Sequence, residues 1–204
     1  MLTRIAVFVS GGGTNLQAIL NEESHGRIRS GKVVLVVSTN EHAGALKRAE
    51  YFGVKTCVVN PKECASEAEY NQKLFKVLDE NNVNLIVLAG YLHILDNEFV
   101  RRYPQAIINI HPSLIPAFCG KGYYGLKVHE EVLKRGVKVT GATVHFVNEI
   151  PDGGEIIMQR AVAIRNSDTP EILQRRVMEK VEWVILPKAV ELVSRSILLG
   201  KKCY

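Results

Sequence analysis

Short apolar runs, rich in β-branched residues, recur along the chain at residues 5–9, 33–37, 56–59, 85–88 and 107–110. Runs with no polar face predict strands of a parallel sheet covered on both sides by other elements. Between them, apolar residues spaced at about 3.6 predict helices over residues 15–23, 43–52, 67–80 and 97–101. Strand and helix in alternation predict an α/β fold with a doubly wound, mostly parallel sheet. Past residue 137 the pattern changes: residues 138–147 and 155–164 read as two strands joined by a turn-rich stretch, an antiparallel hairpin that extends the sheet. Thr169-Pro170 then opens a long last helix, with threonine as cap and proline in the first turn. Its apolar face runs through Leu173, Val177, Val181 and Ile185, and Pro187 predicts a kink before Leu192 and Ile197. No linker, charge block or repeat divides the chain, so a single domain over residues 1–204 is expected.

Composition narrows this picture. A chain of 204 residues, 47% apolar and 23% charged, is neither disordered nor low-complexity. At this size folding buries roughly 70% of the unfolded surface, so the core needs no disulfide or structural metal. Cys57, Cys64, Cys119 and Cys203 form no Cys-x-x-Cys pair and have no zinc-type histidine partner, so reduced thiols and no metal are expected. An N-terminal apolar run of five residues before three glycines is too short for a signal peptide or membrane span, and a cytoplasmic setting is the expectation. The net charge of +5 is scattered over Lys47-Arg48, Arg101-Arg102, Lys134-Arg135 and Arg175-Arg176. Such pairs read as solvated helix faces, not as the basic stripe of a nucleic-acid binder. A mild positive field does favour small anions.

Three places carry candidate chemistry. Ser10-Gly11-Gly12-Gly13-Thr14-Asn15 joins the first strand to the first helix, where backbone N–H groups and the helix's positive end can hold an anion. A dinucleotide fingerprint would need glycine at Leu16, and the Gly-Lys-Ser/Thr ending of a P-loop is missing, which leaves a terminal phosphate or carboxylate of a smaller ligand. The alternative is a tight βα turn that uses glycine for geometry alone. Asn109 and His111 interrupt an apolar strand at its carboxyl end and point to one side. There an amide and an imidazole can meet an oxygen that becomes negative, or move a proton; alternatively they satisfy local backbone groups. Asp152, before Gly153-Gly154, is ordinary turn chemistry, yet a turn folded over the strand ends would pair it with His111 and raise the imidazole's pKa.

Taken together, SGGGTNLQAI from 10, LAGYLHIL from 88, NIHPSLIP from 109, GATVHFVNE from 141 and DGGEIIMQ from 152 resemble the phosphoribosylglycinamide formyltransferase family, in its motif order and over nearly the whole chain. The resemblance implies a Rossmann-like formyltransferase fold with residues 1–110 as a nucleotide-binding half and 111–204 as a folate-binding, catalytic half. It implies transfer of a formyl group from 10-formyltetrahydrofolate, a co-substrate, to the amine of glycinamide ribonucleotide. Partners would be those small molecules, not nucleic acid or membrane, and the protein a monomer or homodimer. Carried over by motif, Asn109, His111 and Asp152 are catalytic; Gly13, Thr14, Asn15, Gly90, Pro112 and Glu182 bind the ribonucleotide. Leu92, His93, Ile94 and Leu95, with Asn109 and with Asn148, Glu149, Ile150, Pro151 and Asp152, enclose the pterin, largely through main-chain groups.

The chain departs from that family in places. Leu92-His93 replaces a common Met-Arg, Trp183 a common histidine, and Glu67 an arginine near the folate's anionic tail, with Lys62 as a substitute cation. Residues 119–124, Cys-Gly-Lys-Gly-Tyr-Tyr, lengthen the loop after NIHPSLIP and read as a longer surface loop, or alternatively as a lid bearing Lys121 and Tyr123. His145, in a strand of the hairpin, reads as a structural hydrogen-bonding group, or alternatively as one that faces the site, and His25, His42 and His129 stay unassigned. Methionyl-tRNA formyltransferase and formyltetrahydrofolate deformylase share the Asn, His and Asp set but normally carry a further domain for which this length has no room. An inactive ligand-binding module is the other reading, and against it stands the presence of all three catalytic types.

Overall fold

The computed structural model describes residues 1–201, which leaves Cys203 outside the described residues. Seven strands form one sheet in the order β3-β2-β1-β4-β5-β6-β7. They are β1 (Thr3–Val9), β2 (Gly31–Ser38), β3 (Lys55–Val58), β4 (Leu85–Leu88), β5 (Ile107–His111), β6 (Val139–Phe146) and β7 (Ile156–Ala163). The first five run parallel, and β6 and β7 add the antiparallel hairpin at the β5 edge.

The two-sided burial of β1 follows from its side-chain period of two. Ile5, Val7 and Val9 enter one core with α1 (Thr14–Ser24) and α7 (Trp183–Leu199), while Ala6 and Phe8 enter a second with α3 (Glu67–Glu80) and α4 (Asn97–Arg102). Between α1 and α3 lies α2 (Gly44–Tyr51). After the strand–helix units come α5 (Leu126–Arg135) and α6 (Pro170–Val177). The Thr169 hydroxyl accepts the Ile172 N–H at 3.3 Å, the cap expected of it.

The last helix differs from expectation. It runs uninterrupted through Pro187, and the departure from α geometry comes earlier, as a π-helical turn at Met178–Glu182 between α6 and α7. α5 has no counterpart among the expected elements. Its buried face holds only Val128, His129 and Val132 among charged neighbours, too few apolar positions to mark a helix. In an open sheet, ligands gather beyond the carboxyl ends of strands where the winding reverses. Here that point lies between β1 and β4, so the glycine loop after β1 and Gly90 after β4 meet: Ser10 N–H donates to the Gly90 carbonyl at 3.2 Å.

Candidate active site

β5 delivers Asn109 and His111 to the sheet's carboxyl end, and antiparallel β6 sets His145 opposite Asn109. The β6–β7 turn returns Asp152 over these strand ends in a left-handed conformation, φ 56°. Asp152 Oδ2 lies 3.5 Å from His111 Nδ1, and Oδ1 lies 3.5 Å from both His145 Nε2 and Asn109 Nδ2. Asn109 Nδ2 is also 3.2 Å from His145 Nε2. Three residues that are far apart in sequence thus form one polar cluster, as expected, and a fourth, His145, joins it.

Backbone carbonyls fix the protons of both rings, since a carbonyl only accepts. His145 Nδ1 lies 2.8 Å from the Phe146 carbonyl oxygen, so Nδ1–H donates there and Nε2 is left to Asn109 and Asp152. His111 Nε2 donates to the Phe118 carbonyl at 2.9 Å, leaving Nδ1 toward Asp152. The Gly120 N–H donates to Asp152 Oδ2 at 2.8 Å. The long loop is therefore no mere surface excursion: its backbone contacts two members of the cluster, and residues 120–125 line the cavity in front of them.

Burial sets the charges. It pushes the His111 pKa below the ordinary value, and the attraction of Asp152 and the Phe118 hydrogen bond do not make up the loss. The expectation that Asp152 holds an imidazolium near neutral pH is corrected: His111 rests neutral, because its ring has lost its water. Burial alone would raise the Asp152 carboxyl, but its contact with His145 and the hydrogen bond from the Gly120 N–H hold it below the usual range. Asp152 rests ionised.

A cavity of about 490 Å³ opens from this cluster. Gly90, Leu92, His93, Ile94, Leu95, Asn109, His111, Pro112 and the whole turn Asn148, Glu149, Ile150, Pro151 and Asp152 line it, with His145, Tyr123 and Tyr124. Leu92, Ile94 and Ile150 are each more than 60% exposed, an apolar rim out of keeping with a solvated surface. Glu67 is 3.2 Å from His93 Nε2, and Glu149 is held by Arg101. Lys62 sits in a short turn, Pro61–Glu63, outside the cavity.

Gly13, Thr14, Asn15 and Glu182 form a neighbouring group and do not line the cavity. Gly13 caps α1 at φ 75°, and a Cβ there would stand 2.6 Å from Ala45 Cβ, so conformation and space both demand glycine. Arg48 Nε donates to the Gly12 carbonyl at 2.8 Å. Ser10, a residue not singled out from sequence, ties the two groups together, its hydroxyl accepting the Leu92 N–H at 3.0 Å. Asn15 turns inward and donates to Glu182 Oε2 at 2.7 Å, while its own Oδ1 is buried without a partner. Burial raises Glu182 to about 7, against the Asn15 hydrogen bond that lowers it. Its place in the π turn fits the habit of such turns to occur at functional sites.

Among the described residues, no cluster of three or more His, Cys, Asp or Glu is arranged to hold a metal ion, and no helix is long and apolar enough to cross a membrane.

Comparison with known proteins converges on one family. The family described as formyl transferase matches residues 3–190. A chloroplastic phosphoribosylglycinamide formyltransferase of Arabidopsis thaliana is 42% identical over 178 residues, 87% of this chain and 61% of that protein. The trifunctional purine biosynthetic protein adenosine-3 of Gallus gallus is 40% identical over 98% of this chain, which spans 20% of its length. The chain thus covers between a fifth and about three fifths of these curated relatives. A solved glycinamide ribonucleotide transformylase 1 from Symbiobacterium toebii superposes with a TM-score of 0.89 at 40% identity, covering 96% of this chain and 89% of that one. With the family matched over most of its length and the fold shared throughout, the chain belongs to the formyl transferase family.

Proposed function

We propose that this chain transfers the formyl group of 10-formyltetrahydrofolate to the amine of 5'-phosphoribosylglycinamide, giving formylglycinamide ribonucleotide and tetrahydrofolate. The observation that carries the proposal is the convergence of Asn109, His111 and Asp152 at the inner end of an apolar-rimmed cavity. Its volume of about 490 Å³ and its apolar walls suit a flat heterocycle of drug size. On this reading residues 92–95 and 148–152, with Asn109, hold the pterin, and residues 111–204 form the folate-binding, catalytic half. Residues 1–110 supply the ribonucleotide half, in which Gly13, Thr14 and Asn15 hold the phosphate and Gly90 flanks the sugar; Pro112 and Glu182 reach the ribonucleotide from the second half, Pro112 beside the sugar and Glu182 at the ribose or glycinamide end. The same proposal includes work on small molecules as a monomer or homodimer in a cytoplasmic setting.

The substrate amine attacks the formyl carbon; a new C–N bond forms as the bond to the folate nitrogen breaks. Asn109 has two amide protons, one toward His145 and one in a long 3.5 Å hydrogen bond to Asp152 Oδ1, and the latter is the one to turn to the formyl oxygen as it becomes negative. His111 offers its Nε2–H to the same oxygen, exchanging one carbonyl partner, Phe118, for another. A neutral imidazole donates this bond without first taking up a proton. The His111–Asp152 pair receives the amine's proton and returns it to the departing nitrogen, with Asp152 stabilising the imidazolium formed in passage. Holding both reactants in contact supplies roughly 7–11 kcal/mol of the barrier.

A spectroscopic assay for folate product tests the proposal, with glycinamide ribonucleotide, water alone or charged initiator tRNA as acceptor. Product with the ribonucleotide only is expected; product with water or tRNA, or with none of them, overturns it.

A further inference from the structure

The cavity's charges are unevenly committed. Glu149 on its wall is held by Arg101, and Asp152 is engaged by His111, His145 and the Gly120 N–H. His93 faces Glu67. Against these stands Lys121, the one lysine or arginine among the described residues lining the cavity, with no ion pair or hydrogen bond to any of them. It projects from the loop whose backbone holds His111 and Asp152, beside Tyr124, which is 59% exposed on the same wall. An unpaired ammonium at the mouth of an apolar cavity lowers the free energy of a ligand that ends in an anion.

We propose that Lys121 is the specificity residue for the anionic tail of the pterin substrate, binding the carboxylate of its terminal glutamate while Tyr124 packs against the aromatic linker. The inference rests on the functional reading above and deepens it. Glu67, 3.2 Å from His93 of the cavity wall, adds a carboxylate that disfavours an anion near His93. The glycine loop and Glu182 do not line this cavity, which separates Lys121 from the group assigned to the ribonucleotide phosphate.

Calorimetric titration of the full chain and its K121A, K121R and K121E variants tests this. The probes are tetrahydropteroate without glutamate, tetrahydrofolate with one glutamate and with three, and glycinamide ribonucleotide. K121A should weaken binding of the glutamate-bearing ligands about fivefold and K121E more, with K121R close to wild type. Tetrahydropteroate and the ribonucleotide should bind all four proteins equally, and added salt should erase the tail's contribution in wild type but change nothing in K121A. Equal binding of the one-glutamate folate by wild type and K121A, or the same loss for the tail-less pteroate, overturns the inference while leaving the functional reading intact. A loss confined to the ribonucleotide moves Lys121 to the phosphate and overturns it too. Absence of all pterin binding by wild type overturns the functional reading, and this inference falls with it.

Discussion

Asp152→Asn removes one charge with little change of shape, at the cost of the long 3.5 Å hydrogen bond from Asn109 to Oδ1. Asparagine keeps the shape, keeps an oxygen for the Gly120 N–H, and tolerates the left-handed backbone at φ 56°. What it removes is the carboxylate 3.5 Å from His111 Nδ1. At that separation a unit charge stabilises an imidazolium by roughly 2–5 kcal/mol for effective dielectric constants of about 40 down to 20. If the imidazolium forms only in passage, all of this falls on the transition state, and kcat should drop about 50- to 3,000-fold. The KM for ribonucleotide should stay nearly constant. The pH profile adds an independent sign. Removing the anion disfavours protonation of His111, so the acid limb of kcat should move to lower pH, the reverse of what general destabilisation would do. Circular dichroism and thermal unfolding establish that the variant is folded. A kcat within about threefold of wild type, or an acid limb shifted upward, would refute the role given to Asp152.

Two buried groups set opposite limits on stability. His129 is fully buried with both ring nitrogens unpartnered, and burial lowers it to about 4. The unfolded chain therefore binds its proton first as pH falls, and about 3 kcal/mol should be lost between pH 6.5 and 4. His129→Leu, of similar volume, should remove that acid loss in denaturant titrations; an unchanged acid slope would show that the ring is not the cause. Glu182 behaves in reverse, because burial raises it to about 7. Its contribution is complete below pH 4.5 and fades as pH rises through 7, again by about 3 kcal/mol. Glu182→Gln keeps an acceptor for Asn15 and should gain stability over the parent progressively between pH 4.5 and 7, levelling off above 7, while raising the ribonucleotide KM. A constant stability difference from pH 5 to 8 would exclude a buried carboxyl.

The central strands were legible because each is buried on both faces and so writes an unbroken apolar run, as Ile5 to Val9 do. The Asn109 and His111 pair was legible for the converse reason: polar groups in such a run have no solvent face to account for them. His145 carries the same mark inside Ala142 to Phe146, all of them buried, but its membership of the site depends on the β5–β6 register, which pairs it with Asn109. Register across an antiparallel pair is not written in either strand alone. The π turn leaves no mark in the sequence because Val177, Val181 and Ile185 keep an ordinary helical spacing through it. Nor could residue types reveal the part played by loop residues Phe118 and Gly120, which act through backbone atoms common to every residue.

The neutral resting state of His111 changes what its chemistry requires. An imidazolium held at rest would need Asp152 to outweigh desolvation, and in this buried ring it does not. Yet a donor to the formyl oxygen is present without that charge, since the Phe118 carbonyl already selects the Nε2–H form. Desolvation, which costs the charged form, strengthens this neutral donor, because a hydrogen bond gains in a medium of low dielectric. The neutral form therefore serves both needs, donor at Nε2 and proton acceptor at Nδ1. With burial holding the ring's pKa below its ordinary value near 6.5, that form predominates above neutrality. The kcat for formyl transfer should accordingly stay flat from about pH 7 to 9 with the substrate amine saturating. A fall across that range, tracking loss of a proton from His111 by NMR titration, would restore the imidazolium as the working species and remove the neutral donor from the mechanism.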